Sequence, residues 1–180
     1  STSQIPACFT TEKDQEEFDR RAQEVCDAYL QAPQNYEQSG VHTVCVDEAT
    51  GLQANEKRAP SLPPKPDQQG KEETQYTRHG AVCLTAAWDV VLGQVGQHKV
   101  QETRTDDDFA RFIEQTTSSD PEGEWVIVAD NLNTHSGEAL VRLVARLEGI
   151  DETTLGNKKK RQGILGSVKS RQAFLNDPQR

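Results

Sequence analysis

Trp125 to Ala129 (WVIVA) is an unbroken apolar run that ends in Asp130. With no polar position to turn toward water, it predicts a short strand buried on both faces, so other layers must pack against it. Its neighbours in the chain supply those layers. Upstream, Phe109, Phe112 and Ile113 share one face of a helix that begins at Thr105, where Thr105-x-x-Asp108 has the form of a capping box. Pro121 and Gly123 then break the chain before the strand. Downstream, Ala139, Leu140, Leu143, Val144 and Leu147 form the stripe of a second helix, with Ser136 as its cap.

The first half of the chain reads differently. Phe18, Ala22, Val25, Cys26, Tyr29 and Leu30 trace one face of an amphipathic helix over Thr11 to Leu30, which Pro33 is expected to stop. Val41 to Glu48 (VHTVCVDE) is rich in β-branched and apolar residues and predicts a strand. Gly51 reads as a turn, after which Leu52 to Lys57 returns as an antiparallel neighbour. The prolines at 60, 63, 64 and 66 make 59–76 a long extended loop. His79 to Asp89 predicts a further strand, and Gly93 to Val100 pairs with it. Strands first, then alternating helix and strand, imply a mixed α/β sheet with flanking helices, and the first two-thirds of a ribonuclease-H-like domain is one of several folds with that element order. Beyond Gly149 the periodicity fades into a basic segment, with one short helical patch at Val168 to Leu175.

A chain of 180 residues fits one domain with a short appendage. No apolar run is long enough to span a membrane, and Ser1 to Thr10 lack the basic start and apolar core of a secretion signal, so a cytoplasmic location is expected. Cys8, Cys26, Cys45 and Cys83 lie far apart with no C-x-x-C pair; they read as reduced thiols, mostly small apolar fillers, and not as a zinc site or a disulfide scaffold. The net charge of −9 argues against a nucleic-acid binder. Against that stand Lys158, Lys159, Lys160 and Arg161, with Lys169 and Arg171 beyond them, as a basic stretch that either contacts DNA phosphates or is a solvated loop.

Two carboxylates are set by position: Asp47 near the end of the first strand and Asp130 at the end of the apolar one. Open α/β sheets hold ligands beyond strand ends, and if these strands are neighbours the two side chains converge. Oxygen ligands of this kind suit Mg²⁺, which keeps several waters and takes one or two protein carboxylates plus substrate phosphates. Aspartate also simply marks strand-to-loop boundaries, and that reading stays open. The segment Asp130-Asn131-Leu132-Asn133-Thr134-His135 carries more polar groups than a turn and cap require. Glu48, Asn131, Asn133 and His135 are therefore further candidates, His135 in a supporting or capping role.

VCVDEATGLQANEKRAP, TRHGAVCLTAAWDVVLGQV and WVIVADNLNTHSGEALVRLV resemble the catalytic core of mariner-related DDE transposases of bacterial insertion sequences. The resemblance runs from about Val41 to Asp177, including Gly163-Ile164-Leu165. It implies a ribonuclease-H-like fold, two Mg²⁺ or Mn²⁺ ions, DNA at transposon ends and targets as partner, and a homo-oligomer. It carries the first and second catalytic aspartates, as metal ligands, onto Asp47 and Asp130. It further implies 1–38 as a connector helix and 39–180 as a partial core. The third carboxylate of such enzymes has no counterpart, for no acidic residue lies between Glu152 and Asp177. The chain therefore reads as the central piece of a transposase, or alternatively as a non-catalytic remnant that binds DNA or a partner transposase without cutting.

Overall fold

In the computed structural model, which describes residues 12–130 and 133–177, the apolar stretch after Gly40 forms one long strand and not a hairpin. This strand, β1, spans His42–Lys57 and passes straight through Gly51, which has φ +72. The register shifts between Ala49 and Leu52, so Gly51 makes a bulge, its freedom at positive φ absorbing extra chain without turning it back. β2 (Tyr76–Asp89) pairs antiparallel along the whole of β1, and β3 (Gln94–Gln101) pairs antiparallel with β2. The connection between β1 and β2 is the proline-rich stretch. It ends one residue earlier than expected, because Tyr76 already pairs with Lys57, and it folds on itself through Leu62–Lys71 and Lys65–Gln68 bridges.

β4 (Trp125–Ala129) adds to the other side of β1 in parallel, giving one four-stranded sheet in the order β3-β2-β1-β4. A mixed sheet of this order, with flanking helices, is the ribonuclease-H-like arrangement expected. β4 is not buried on both faces, however. It is an edge of the described sheet, and Val126 is 36% exposed. Trp125 and Ile127 face the helices, whereas Val126 faces the opposite side, so an apolar run did not guarantee two covering layers.

α2 (Asp106–Thr117) and α3 (Glu138–Leu147) cover one face of the sheet. Phe109, Ala110, Phe112 and Ile113 of α2 pack with Leu140 and Leu143 of α3 on Val44, Val46 and Ala87. The capping box forms: the Thr105 side chain accepts from the Asp108 N–H while the Asp108 carboxylate accepts from the Thr105 backbone. Burial alone pushes the Asp108 carboxyl up, but donors from Thr103 and Thr105, with Arg111 nearby, outweigh it and hold it below its usual range. Ser136 does not cap α3. Gly137 does, because a Cβ there would lie 2.4 Å from the Asp106 Cβ, so only glycine lets the two helix starts approach. The α3 stripe is also shifted from the expected one: Val141 and Ala145 are buried, and Leu147 is exposed.

α1 (Glu12–Ser39) continues past Pro33 instead of stopping at it. A proline inside a helix costs about 3 kcal/mol, and packing on either side of it offsets that cost. Ala32 is fully buried, Tyr36 meets His42 edge-on at 5.5 Å, and the Gly40 N–H returns to the Tyr36 carbonyl. Tyr29 hydrogen-bonds Cys45, and that bond together with burial pushes its phenol up to about 12. Cys45 alternates with Val44 and Val46, so α1 lies on the face opposite α2 and α3. Of the thiols, Cys83 is buried and Cys26 is exposed, while Cys8 lies outside the described residues.

After α3, Glu152–Leu155, Lys158–Lys160 and Ile164–Gly166 form single 3-10 turns that lead into α4 (Val168–Leu175). Leu155, Leu165 and Phe174 make a second small core with Val141 and Ala145 on the back of α3. Among the described residues no helix is long and apolar enough to cross a membrane.

Candidate metal site at the ends of β1 and β4

The parallel register decides where the two aspartates stand. His42 pairs with Trp125 and the ladder continues in step to Val46 and Ala129. The next position on each chain is Asp47 and Asp130, each one residue past that last pair. Neighbouring strands lie about 4.8 Å apart, and cross-strand partners share a face. By alternation Asp47 belongs to the face opposite Val44 and Val46, the side on which α1 covers Cys45 and leaves Asp47 exposed, whereas Asp130 stands just past the end of β4. Asp47 is anchored at its own strand, its Oδ1 accepting the Glu48 N–H at 2.7 Å.

Glu48, one residue on, goes the other way. It faces the core side of the sheet with only 2% of its side chain exposed. It is thus a buried residue within β1. Its partners come from two elements: Arg104 NH1, just before α2, lies 3.6 Å from Oε2, and His135 Nε2 lies 3.7 Å from Oε1. Among the described residues neither Glu48 Oε2 nor His135 Nε2 finds a hydrogen-bond partner, and the same holds for the buried hydroxyls of Thr134 and Ser136.

His135 belongs to the 3-10 turn Asn133–Ser136 between β4 and α3, and it links the two carboxylates. Its Nδ1 lies 2.7 Å from Asp130 Oδ1 and 3.1 Å from the Asp130 carbonyl. Both are acceptors, so Nδ1 carries the proton and donates. Phe109 of α2 stacks on the ring at 3.9 Å, with 25° between planes. The Asp130 side chain itself is 55% exposed. Of the other expected site residues, Asn133 begins the turn and Asn131 lies outside the described residues. Lys158, Lys159, Lys160 and Arg161 are all exposed, and the first two line a groove with Glu138, Arg142 and Asn157. Arg104 and Phe109 are site neighbours that sequence reasoning did not single out; Phe109 was visible only as a core position.

The donor set fits a hard divalent cation. Two carboxylates follow the last paired residues of neighbouring strands and have exposed side chains, leaving room for water and phosphate oxygens, as Mg²⁺ requires. Among the described residues no three His, Cys, Asp or Glu side chains are grouped closely enough to hold a metal unaided.

The model of the DDE superfamily endonucleases matches residues 42–155, well over half the chain, and the chain belongs to that family. The match takes in both aspartates, Glu48 and His135. No curated protein matches the chain. Solved structures with a similar fold include the Mos1 transposase paired-end complex with left transposon end, at 18% identity and a TM-score of 0.43, covering 82% of this chain and 45% of that one. The Mos1 strand transfer complex is similar at 13% identity and a TM-score of 0.38, over 84% of this chain and 45% of that one. The mariner Mos1 paired end complex with Mg gives 12% and 0.37, over 82% and 45%. The chain thus spans less than half the length of these proteins.

Proposed function

We propose that this chain is part of the catalytic core of a DNA transposase, in which Asp47 and Asp130 hold Mg²⁺ or Mn²⁺ for strand cleavage and strand transfer at transposon ends. The observation that supports the reading is the β1–β4 register, whose last pair, Val46 and Ala129, immediately precedes Asp47 and Asp130. A divalent ion, when bound, activates a water or hydroxyl and neutralises charge on the phosphodiester. The chain's own part is to aim two carboxylates at one place, with Asp47 fixed by its neighbour's N–H and Asp130 by His135. Lys158, Lys159, Lys160 and Arg161 are the proposed phosphate contacts, their charge offsetting locally a chain that is acidic as a whole. We assign 1–38 to a connector helix and 39–180 to the core. A second copy of the chain is the proposed partner, since Phe18 and Leu30 of α1 expose apolar surface.

The test is cleavage and joining of transposon-end DNA with Mg²⁺ or Mn²⁺ by wild type, Asp47→Asn and Asp130→Asn. The expected outcome is no specific cleavage by the 180-residue chain alone, metal-dependent product once a downstream segment supplies a third carboxylate, and a loss on the order of 10²–10³-fold when either aspartate is replaced in that longer chain, the scale of removing one electrostatic stabiliser. Equal product from wild type and either variant would move the metal site elsewhere. DNA binding without any product even from the longer chain that supplies the third carboxylate would overturn the catalytic reading in favour of a module that binds without cutting.

A further inference from the structure

Glu48 stands where alternation along β1 calls for an apolar residue. Val44 and Val46 on the same face are core, and the position pairs with buried Thr85 of β2. A carboxylate so deeply buried is costly unless its partners repay the desolvation, and a hydrophobic residue of similar size is often the more stable choice. Its contacts lead to one place: Arg104 on one side, and on the other the His135 ring, whose far nitrogen holds Asp130. The ring cannot swing freely, being stacked on Phe109 and 4% exposed. Asp130 is the more exposed end of this chain of contacts, more than half exposed and beyond the last ladder pair of β4.

We propose that Glu48 and His135 are positioning residues for Asp130. Glu48 packs against the core side of the ring, its Oε1 3.7 Å from Nε2 without a hydrogen bond, and the ring's Nδ1–H holds Asp130 toward the cation. Glu48 thus acts from the opposite face of the sheet to Asp47, although the two are adjacent in sequence. The inference rests on the reading of Asp130 as a metal ligand. Outer partners that orient a ligand commonly contribute about 10–100-fold to metal affinity, and that is the size of effect expected here.

Mn²⁺ binding to the 180-residue chain, followed by loss of the free-ion electron paramagnetic resonance signal, tests it with four variants. His135→Asn keeps an N–H near the place of Nδ1 and should bind close to wild type. His135→Gln puts its amide near the place of Nε2 instead and should bind about 10–100-fold more weakly. Glu48→Leu should also bind about tenfold or more weakly while its thermal stability stays the same or rises, a split that a purely structural role would not produce. Asp130→Ala sets the floor. In the metal-free chain, the ¹⁵N spectrum of the ring should show the proton on Nδ1.

Wild-type affinity in both His135→Gln and Glu48→Leu, with binding lost in Asp130→Ala, would overturn the positioning role and leave the metal site standing. Unchanged binding in Asp130→Ala, or none in wild type, would instead bring down the site and this inference with it. A ring protonated only on Nε2 would contradict the relay whatever the metal does.

Discussion

Phe109→Ala is expected to destabilise the fold by about 3–5 kcal/mol, the usual cost of emptying a buried aromatic site. Phe109 is 2% exposed and lies in the main core between α2 and the sheet. Its ring also forms the floor under His135, so the vacated space opens directly beneath the histidine that holds Asp130. The effect should therefore be double: a large drop in the urea midpoint, and weaker Mn²⁺ binding under conditions where the variant is still folded. Phe109→Leu should recover much of the stability and little of the ring stacking. A loss below about 1 kcal/mol in the alanine variant, the level of an ordinary surface change, would mean that α2 does not pack as described.

Arg171→Ala is expected to be nearly as costly, and to act locally. The Arg171 guanidinium is buried and donates from Nε to the Ser136 carbonyl at 2.7 Å and from NH1 to the Leu165 carbonyl at 3.1 Å. One carbonyl belongs to the turn that carries His135, the other to the 3-10 turn before α4. A hydrogen bond from a charged donor is worth about 1.5–3 kcal/mol, and removing the donor leaves two buried acceptors unpaired. The segment from Glu152 to Leu175 is held otherwise by a small core of Leu155, Leu165 and Phe174, so a loss of about 3 kcal/mol should release it before the sheet unfolds. Hydrogen exchange should speed up by about two orders of magnitude over 164–175 and stay unchanged in β1 and β2. Uniform acceleration throughout would show that this segment and the sheet unfold as one unit.

The features legible in the sequence are those set by local chemistry. The Thr105–Asp108 box, the buried face of α2 and the extent of α4 depend on residues within a turn or two of each other, and they stand where expected. Features decided by distant partners were misread. Gly51 has the signature of a hairpin turn, yet β2 is long enough to pair on both sides of it, so it became a bulge. Pro33 is a stop signal that packing around Ala32 and Tyr36 overrode. Leu147 continues a helical stripe past the point where α3 still has a layer to face. The two aspartates could be picked out as strand-end residues, but their adjacency depends on β4 joining β1 in parallel and in that register, which no local signal encodes. Glu48 was read as a neighbour of Asp47 in function; alternation alone puts them on opposite faces, and only the arrival of Arg104 and His135 gives Glu48 its place.

The central claim is that Asp47 and Asp130 share a divalent ion. Anomalous diffraction from crystals of the chain containing Mn²⁺ measures this directly. The account predicts a manganese peak within about 2.1 Å of a carboxylate oxygen from each aspartate, with waters completing an octahedral shell and Glu48 outside it. Manganese bound at other groups, with no density between Asp47 and Asp130, would contradict it.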